Sequence, residues 1–186
     1  MKSAQAPKKI ERRIETASHT HAWQDSCLKE GVHYERQLQA ACGYAELGMF
    51  SESLAELDSI PTRLQRRPEV LQLRLHHFMR AKRWGPALRV SQLLCRVAPD
   101  CGTGFLHAGF CLHQLGKTAA ARNLLMTGPI ALLKEPIYYY NLGCYDALLG
   151  DIKRAAANLQ ISFKMDASLR EIARNDPDLK ALHALI

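Results

Sequence analysis

The sequence predicts an all-α solenoid of stacked helix pairs, closed at its C-terminal end by short capping helices. Three observations carry that prediction. Gly48, Lys82, Gly116 and Gly150 stand 34 residues apart, and Ser53, Ala87, Ala121 and Ala155 keep the same step, as do Ala41, Leu75, Gly109 and Gly143. A fixed period of this length marks a repeat architecture in which each unit covers its apolar face against its neighbours. Prolines fall where helices would begin and glycines where they would end. The 186 residues, 47% hydrophobic and 23% charged, suffice for one ordinary domain with a real core.

Residues 1–15, with Lys8, Lys9, Arg12 and Arg13, offer little to bury and are expected to form a basic, mobile tail. A helix is expected over 16–33, with Trp23 and Leu28 packing on the first unit. Four units follow at 34–67, 68–101, 102–135 and 136–169. Each needs small residues where two helices cross and large ones between them. Ala41, Gly109 and Gly143 supply the closeness; Tyr44, Phe78, Phe105 and Tyr139 supply the bulk. Gly48, Gly116 and Gly150 end their helices as left-handed caps. Pro68 and Pro136 suit a first helical turn, where a missing N–H costs no hydrogen bond. Pro61 should cut the second helix of the first unit short. Residues 170–186 close the stack, with helices expected over 168–174 and 177–185. Asp176 is the expected N-cap, Pro177 the first residue of the last helix, and Leu179, Leu182 and Leu185 its apolar face.

The fourth unit reads Tyr139-xx-Leu142-Gly143 then Ala155-xxx-Leu159, and the third Phe105-xx-Ala108-Gly109-xx-Leu112 then Ala121-xxx-Leu125. This pattern resembles the tetratricopeptide repeat, with its WxxLGxxY, AxxxF and P positions at a period of 34. The closing segment also resembles the DPDL-type ending of many bacterial proteins of this family. The resemblance implies a right-handed superhelix whose concave groove is lined by the first helix of each unit and holds a peptide or helical segment. Carried over by position, the groove would comprise Glu35, Leu38, Cys42 and Ala45; Glu69, Gln72, His76 and Met79 with Arg80 at the edge; Thr103, Leu106, Phe110 and His113; and Ile137, Tyr140, Cys144 and Ala147. Such a lining suits an amphipathic protein segment whose apolar anchors fill pockets. The basic carboxylate clamp of the best-known peptide readers is absent, because its places hold Leu38, Cys42, Thr103 and His107. The segments LCRVAPD (94–100) and FLHAGFCLHQLG (105–116) are similar to central repeats of class II chaperones of type III secretion. That makes a chaperone for an exported protein one alternative reading.

Charge supplies the second surface. Arg63, Arg66, Arg67, Arg74, Arg80, Lys82, Arg83, Arg89 and Arg96 face a single acid, Glu69, across 63–96, a balance of +8 against −1 for the rest, so the chain's whole net charge of +7 resides here. Such a field favours an acidic partner. Nucleic acid is the alternative partner. However, the cluster lacks interleaved aromatic platforms, since Phe78 and Trp84 belong to the repeat core.

Catalytic and metal chemistry find little support. Cys27, Cys42, Cys95, Cys101, Cys111 and Cys144 form no CxxC pair and read as free, mostly buried thiols in a reducing compartment, so a cytoplasmic protein is expected. No run approaches the roughly 18 apolar residues of a membrane span. The glycines of CGTGFLHAG (101–109) miss the GxGxxG spacing and follow no strand. His107 and Cys111 stand four apart but lack a second pair to complete a metal site. His76 and His77 point to different faces of a helix. In YYYNLGCYDALLGD (138–151), Cys144 has no partner histidine in register, and Asp146 occupies a place that the family usually gives to a large residue. The sequence therefore predicts a non-enzymatic adaptor with no cofactor and no metal.

Overall fold

A computed structural model describes residues 31–183, and these are helical with no strand among them. The expected tail over 1–15 and most of the helix over 16–33 lie outside the described residues. The chain divides into two compact units that part between Leu64 and Gln65.

The first unit holds helix α1, described over 31–46, and α2 (Phe50–Ser59). Ser53 and Ala41 are fully buried, and the Ser53 hydroxyl donates to the Ala41 carbonyl at 2.6 Å. A small side chain thus lets two backbones approach and also satisfies one of them. Helix α2 stops where Ile60 turns extended, φ −62° and ψ 134°. Pro61 imposes this, because its ring excludes the helical conformation from the residue before it.

The second unit contains α3 (Pro68–Arg80), α4 (Trp84–Val97), α5 (Gly102–Gln114), α6 (Thr118–Met126), α7 (Pro136–Leu148), α8 (Ile152–Met165) and α9 (Ser168–Arg174). Short 3-10 segments occupy Ile130–Lys134 and Pro177–Leu182. Consecutive helices pack from α3 to α8, and the final 3-10 segment packs on α7 and α8. The repeat's small positions form the axis of the core: Ala87, Ala121 and Ala155 are fully buried. At Gly143 a Cβ would lie 2.7 Å from Leu159 Cγ, and at Gly104 one would lie 2.8 Å from the backbone nitrogen of Cys95. The glycine run at 101–109 is therefore a helix-crossing device.

Four helix ends share one geometry. Gly48, Gly116 and Gly150 have φ of 74°, 75° and 86°, and Lys82 joins them at 52°. In each, the left-handed residue donates its N–H three residues back, and the next residue donates five back, as in Lys82 to Met79 and Arg83 to Phe78. This double bond pattern is the Schellman motif, which satisfies carbonyls that a helix end leaves orphaned. Lysine adopts the conformation at a cost that glycine avoids.

One expectation needs correction. The last helix expected over 177–185 is a 3-10 turn in its described part. Asp176 caps it by accepting from the Asp178 N–H at 2.9 Å, and bonds three residues apart then tighten the chain, as from Leu179 N–H to the Asp176 carbonyl. The second helix of the third unit is only α6, nine residues long. Gly128 and Pro129 interrupt it, and Leu132 of the following 3-10 segment is buried in its place.

Candidate functional site

Helices α3, α5 and α7 carry the residues expected to line the groove within the second unit. Gln72, His76 and Arg80 on α3 are open to solvent, whereas of those on α7 only Ile137, in the first turn, is exposed and Tyr140, Cys144 and Ala147 are buried. Met79 on α3 is half-buried with its sulfur 3.6 Å from that of buried Cys111. On α5, Leu106, Phe110 and His113 are half-buried, and Phe110 packs edge-on against Trp84 with ring centres 5.7 Å apart. Leu38, half-buried, and Cys42, exposed, belong to the first unit.

The burial at α7 corrects the expectation that Tyr140 and Cys144 line an open groove, and half-buried His113 on α5 is engaged from the same side. The chain's own closing segment covers them. The Tyr140 hydroxyl donates to Asp176 Oδ2 at 2.7 Å, the Cys144 thiol reaches the same oxygen at 3.7 Å, and His113 Nε2 meets Asp178 Oδ2 at 2.9 Å. Leu179 and Leu182 are buried beneath, which anchors the segment by apolar contact. The physical cause lies in the DPDL residues. The N-cap aspartate places one carboxylate oxygen on its own backbone and leaves the other free to take side chains from α7.

Asp146, expected as an imperfect packing position, is instead a buried hub. Its carboxylate is 1% exposed and accepts from Arg122 on α6, and from Arg154 and Asn158 on α8, the last two at 3.0 Å each. Arg122 also stands at a register position that is apolar in the first two units. The signal in the sequence was thus a pair of opposite departures in neighbouring units.

The basic residues lie at exposed positions: Arg66, Arg67, Arg80, Lys82, Arg83, Arg89 and Arg96 in the second unit, and Arg63 in the first. Arg74 is half-buried, Arg67 pairs with Glu69 at 3.9 Å, and the Arg83 guanidinium lies over the Phe78 ring.

Thiol and imidazole chemistry follows burial. Desolvation pushes Cys95 and Cys111 up to about 11, and burial followed by the nearby Asp176 and Asp178 carboxylates pushes Cys144 higher still. Burial lowers His77 and His107, with His76 adding to both. Thiols held protonated are poor nucleophiles and poor redox sensors. His107 and Cys111 do not gather further donors. Among the described residues, the donor atoms that converge within 4.8 Å of one another are those of Cys144, Asp176 and Asp178. No described helix is long and apolar enough to cross a membrane.

Comparison with known proteins gives a likeness of fold. No protein-family model matches the sequence, and no curated protein matches it significantly. Among solved structures, MamA MSR-1 is similar at a TM-score of 0.60 and 14% identity, over 73% of this chain and 78% of that one. MamA AMB-1 gives 0.60 and 15%, over 79% and 78%. A MamA point mutant gives 0.60 and 15%, over 86% and 92%. The fold is an all-α solenoid of the tetratricopeptide type, as the repeat pattern implies.

Proposed function

We propose that the chain is a non-enzymatic protein-interaction adaptor, built from the four units at 34–67, 68–101, 102–135 and 136–169. It receives an acidic, amphipathic segment of a partner protein on the open part of the surface formed by α3 and α5. Phe110 and Leu106 supply apolar contact, Met79 adapts to the shape of the ligand, and Gln72, His76 and Arg80 supply polar contacts. Lys82, Arg83 and Arg89 raise the rate at which an acidic segment arrives.

One observation carries this reading. The chain's own Asp176 and Asp178 already lie on α5 and α7, held by His113 and Tyr140. A carboxylate-bearing segment with apolar anchors at Leu179 and Leu182 is thus the kind of ligand this surface accommodates in cis. The protonated state of the buried thiols supports a binding role over a catalytic one.

The test is affinity capture from the native cell by full-length protein, compared with Phe110→Asp and with Lys82→Glu/Arg83→Glu. Partners lost from the Phe110 variant at unchanged helicity support the surface. Partners captured equally by both variants overturn it. Association that slows with added salt in the wild type, and no longer does so in the charge-reversed variant, supports the steering step.

A further inference from the structure

We propose that Cys144, Asp176 and Asp178 form a binding site for a divalent cation of the zinc class, which pins the closing segment to α7. The three donors come from two separate elements, α7 and the turn that begins the last 3-10 segment, and they converge with Cys144 buried at 4% exposure. Tetrahedral zinc, with bonds near 2.3 Å to sulfur and 2.0 Å to oxygen, needs sulfur and oxygen ligands about 3.5 Å apart and oxygens about 3.3 Å apart. The Cys144 sulfur already stands 3.7 Å from Asp176 Oδ2, and no pair of the three donor atoms exceeds 4.8 Å. Small side-chain rotations would close the set.

Two further observations point to a cation. The first is charge. Two carboxylates and a thiol meet, and among the described residues His113 is the one basic side chain that touches either carboxylate. A divalent ion supplies the missing positive charge. The second is the Tyr145 hydroxyl, which is buried with no hydrogen-bond partner among the described residues, on a side chain 1% exposed. Its ring packs on His113 with centres 5.1 Å apart, and its hydroxyl lies within electrostatic range of Cys144 and Asp178. A water completing the coordination of the ion would give that hydroxyl a partner. The supporting contacts are also in place, since Tyr140 holds Asp176 and His113 holds Asp178. Such outer contacts orient ligands and strengthen binding. One thiolate with oxygen donors suits zinc, and cobalt in its place, above magnesium or calcium. On binding, the Cys144 thiol gives its proton to the buffer and its sulfur lone pair to the ion, with no change of oxidation state.

The experiment uses untagged full-length protein stripped with a chelator. Cobalt(II) is titrated into wild type, Cys144→Ser and Asp178→Asn, and zinc stoichiometry is read by native mass spectrometry. The proposal expects one ion per chain and a thiolate-to-cobalt charge-transfer band that Cys144→Ser abolishes. It also expects an affinity at least about 10-fold weaker in Asp178→Asn. Zinc should raise the melting temperature of wild type and not that of Cys144→Ser. Circular dichroism checks that both variants stay helical, and if the serine variant unfolds, Asp178→Asn decides the matter alone. No band in wild type overturns the proposal and leaves Tyr140, Cys144, His113, Asp176 and Asp178 as a hydrogen-bonded latch. A band that persists undiminished in the folded variants also overturns it, by placing the metal at other cysteines or histidines.

Discussion

The second and fourth helix pairs are built on one plan and put it to opposite uses. On α7 eight residues are buried, Asp146 among them, whereas on α3 only Val70, Leu71, Leu75 and His77 are. The α7 helix ends on Gly150, and the Asp151 side chain caps the backbone of α8 at Arg154. The α3 helix ends on Lys82, and the N-cap of α4, Arg83, provides no side-chain bond. In every respect the fourth pair takes the more stable option, and the second pair gives it up for exposed basic residues. Stability and solvent-facing chemistry are thus assigned to different repeats of one fold.

The largest expected effect removes the fourth pair's advantage at its centre. Asp146→Ala strips the carboxylate from a buried cluster and leaves the Arg122 guanidinium, itself 17% exposed, without its partner. A loss of about 3 kcal/mol or more is expected in urea unfolding, because breaking a buried pair leaves an uncompensated charge. Arg74→Ala, on the half-buried side of α3, should cost far less. Gly143→Ala comes next. Its new methyl would press on Leu159, so about 1–3 kcal/mol should be lost in the same assay, unless Leu159→Ala accompanies it.

A third substitution should narrow the contrast from the other side. Lys82→Gly relieves a left-handed backbone and should stabilise by about 1 kcal/mol, seen as a higher melting temperature. Gly150→Lys should cost a similar amount. If Lys82→Gly leaves the melting temperature unchanged, strain does not separate the two pairs. The smallest effect is expected with pH. Burial depresses His77 and His107 in the folded state, so the unfolded chain takes up protons first as the pH falls. Stability should therefore be lost as the pH drops below the unfolded value of about 6.5, and should level off once the folded histidines titrate. His107→Gln should flatten that slope between pH 7 and 5. An unaltered slope would assign the effect to other groups.

Most of the fold was legible because packing at helix crossings needs small residues at fixed spacing, which leaves a trace in the order of residue types. Gly116, Gly150, Pro68, Pro136 and Asp176 all do in space what their local chemistry dictates. The 3-10 form of the last segment was not legible, since Pro177 permits both helix types and the carboxylates' hold on α7 and α5 selects one. The covering of the fourth unit was not legible. Tyr140 and Cys144 stand at groove positions by register, yet register says nothing of a tail that returns to cover them. The Asp146 cluster was visible only as two anomalies. Their meaning depends on Arg122 and Asp146, 24 residues apart, meeting across a helix interface.

That cluster also has a consequence for how the array comes apart. In a repeat protein, stability is a sum of unit terms and nearest-neighbour terms, and unfolding can start wherever a neighbour term is weak. Asp146 sits on α7 but is satisfied from both α6 and α8, so the departure of either neighbour strips hydrogen bonds from a buried carboxylate. Helices α6 to α8 therefore behave as one cooperative block, which hydrogen exchange should show opening together and last. Within the second unit, the α3–α4 end, where the chain exposes its basic residues, should exchange before that block.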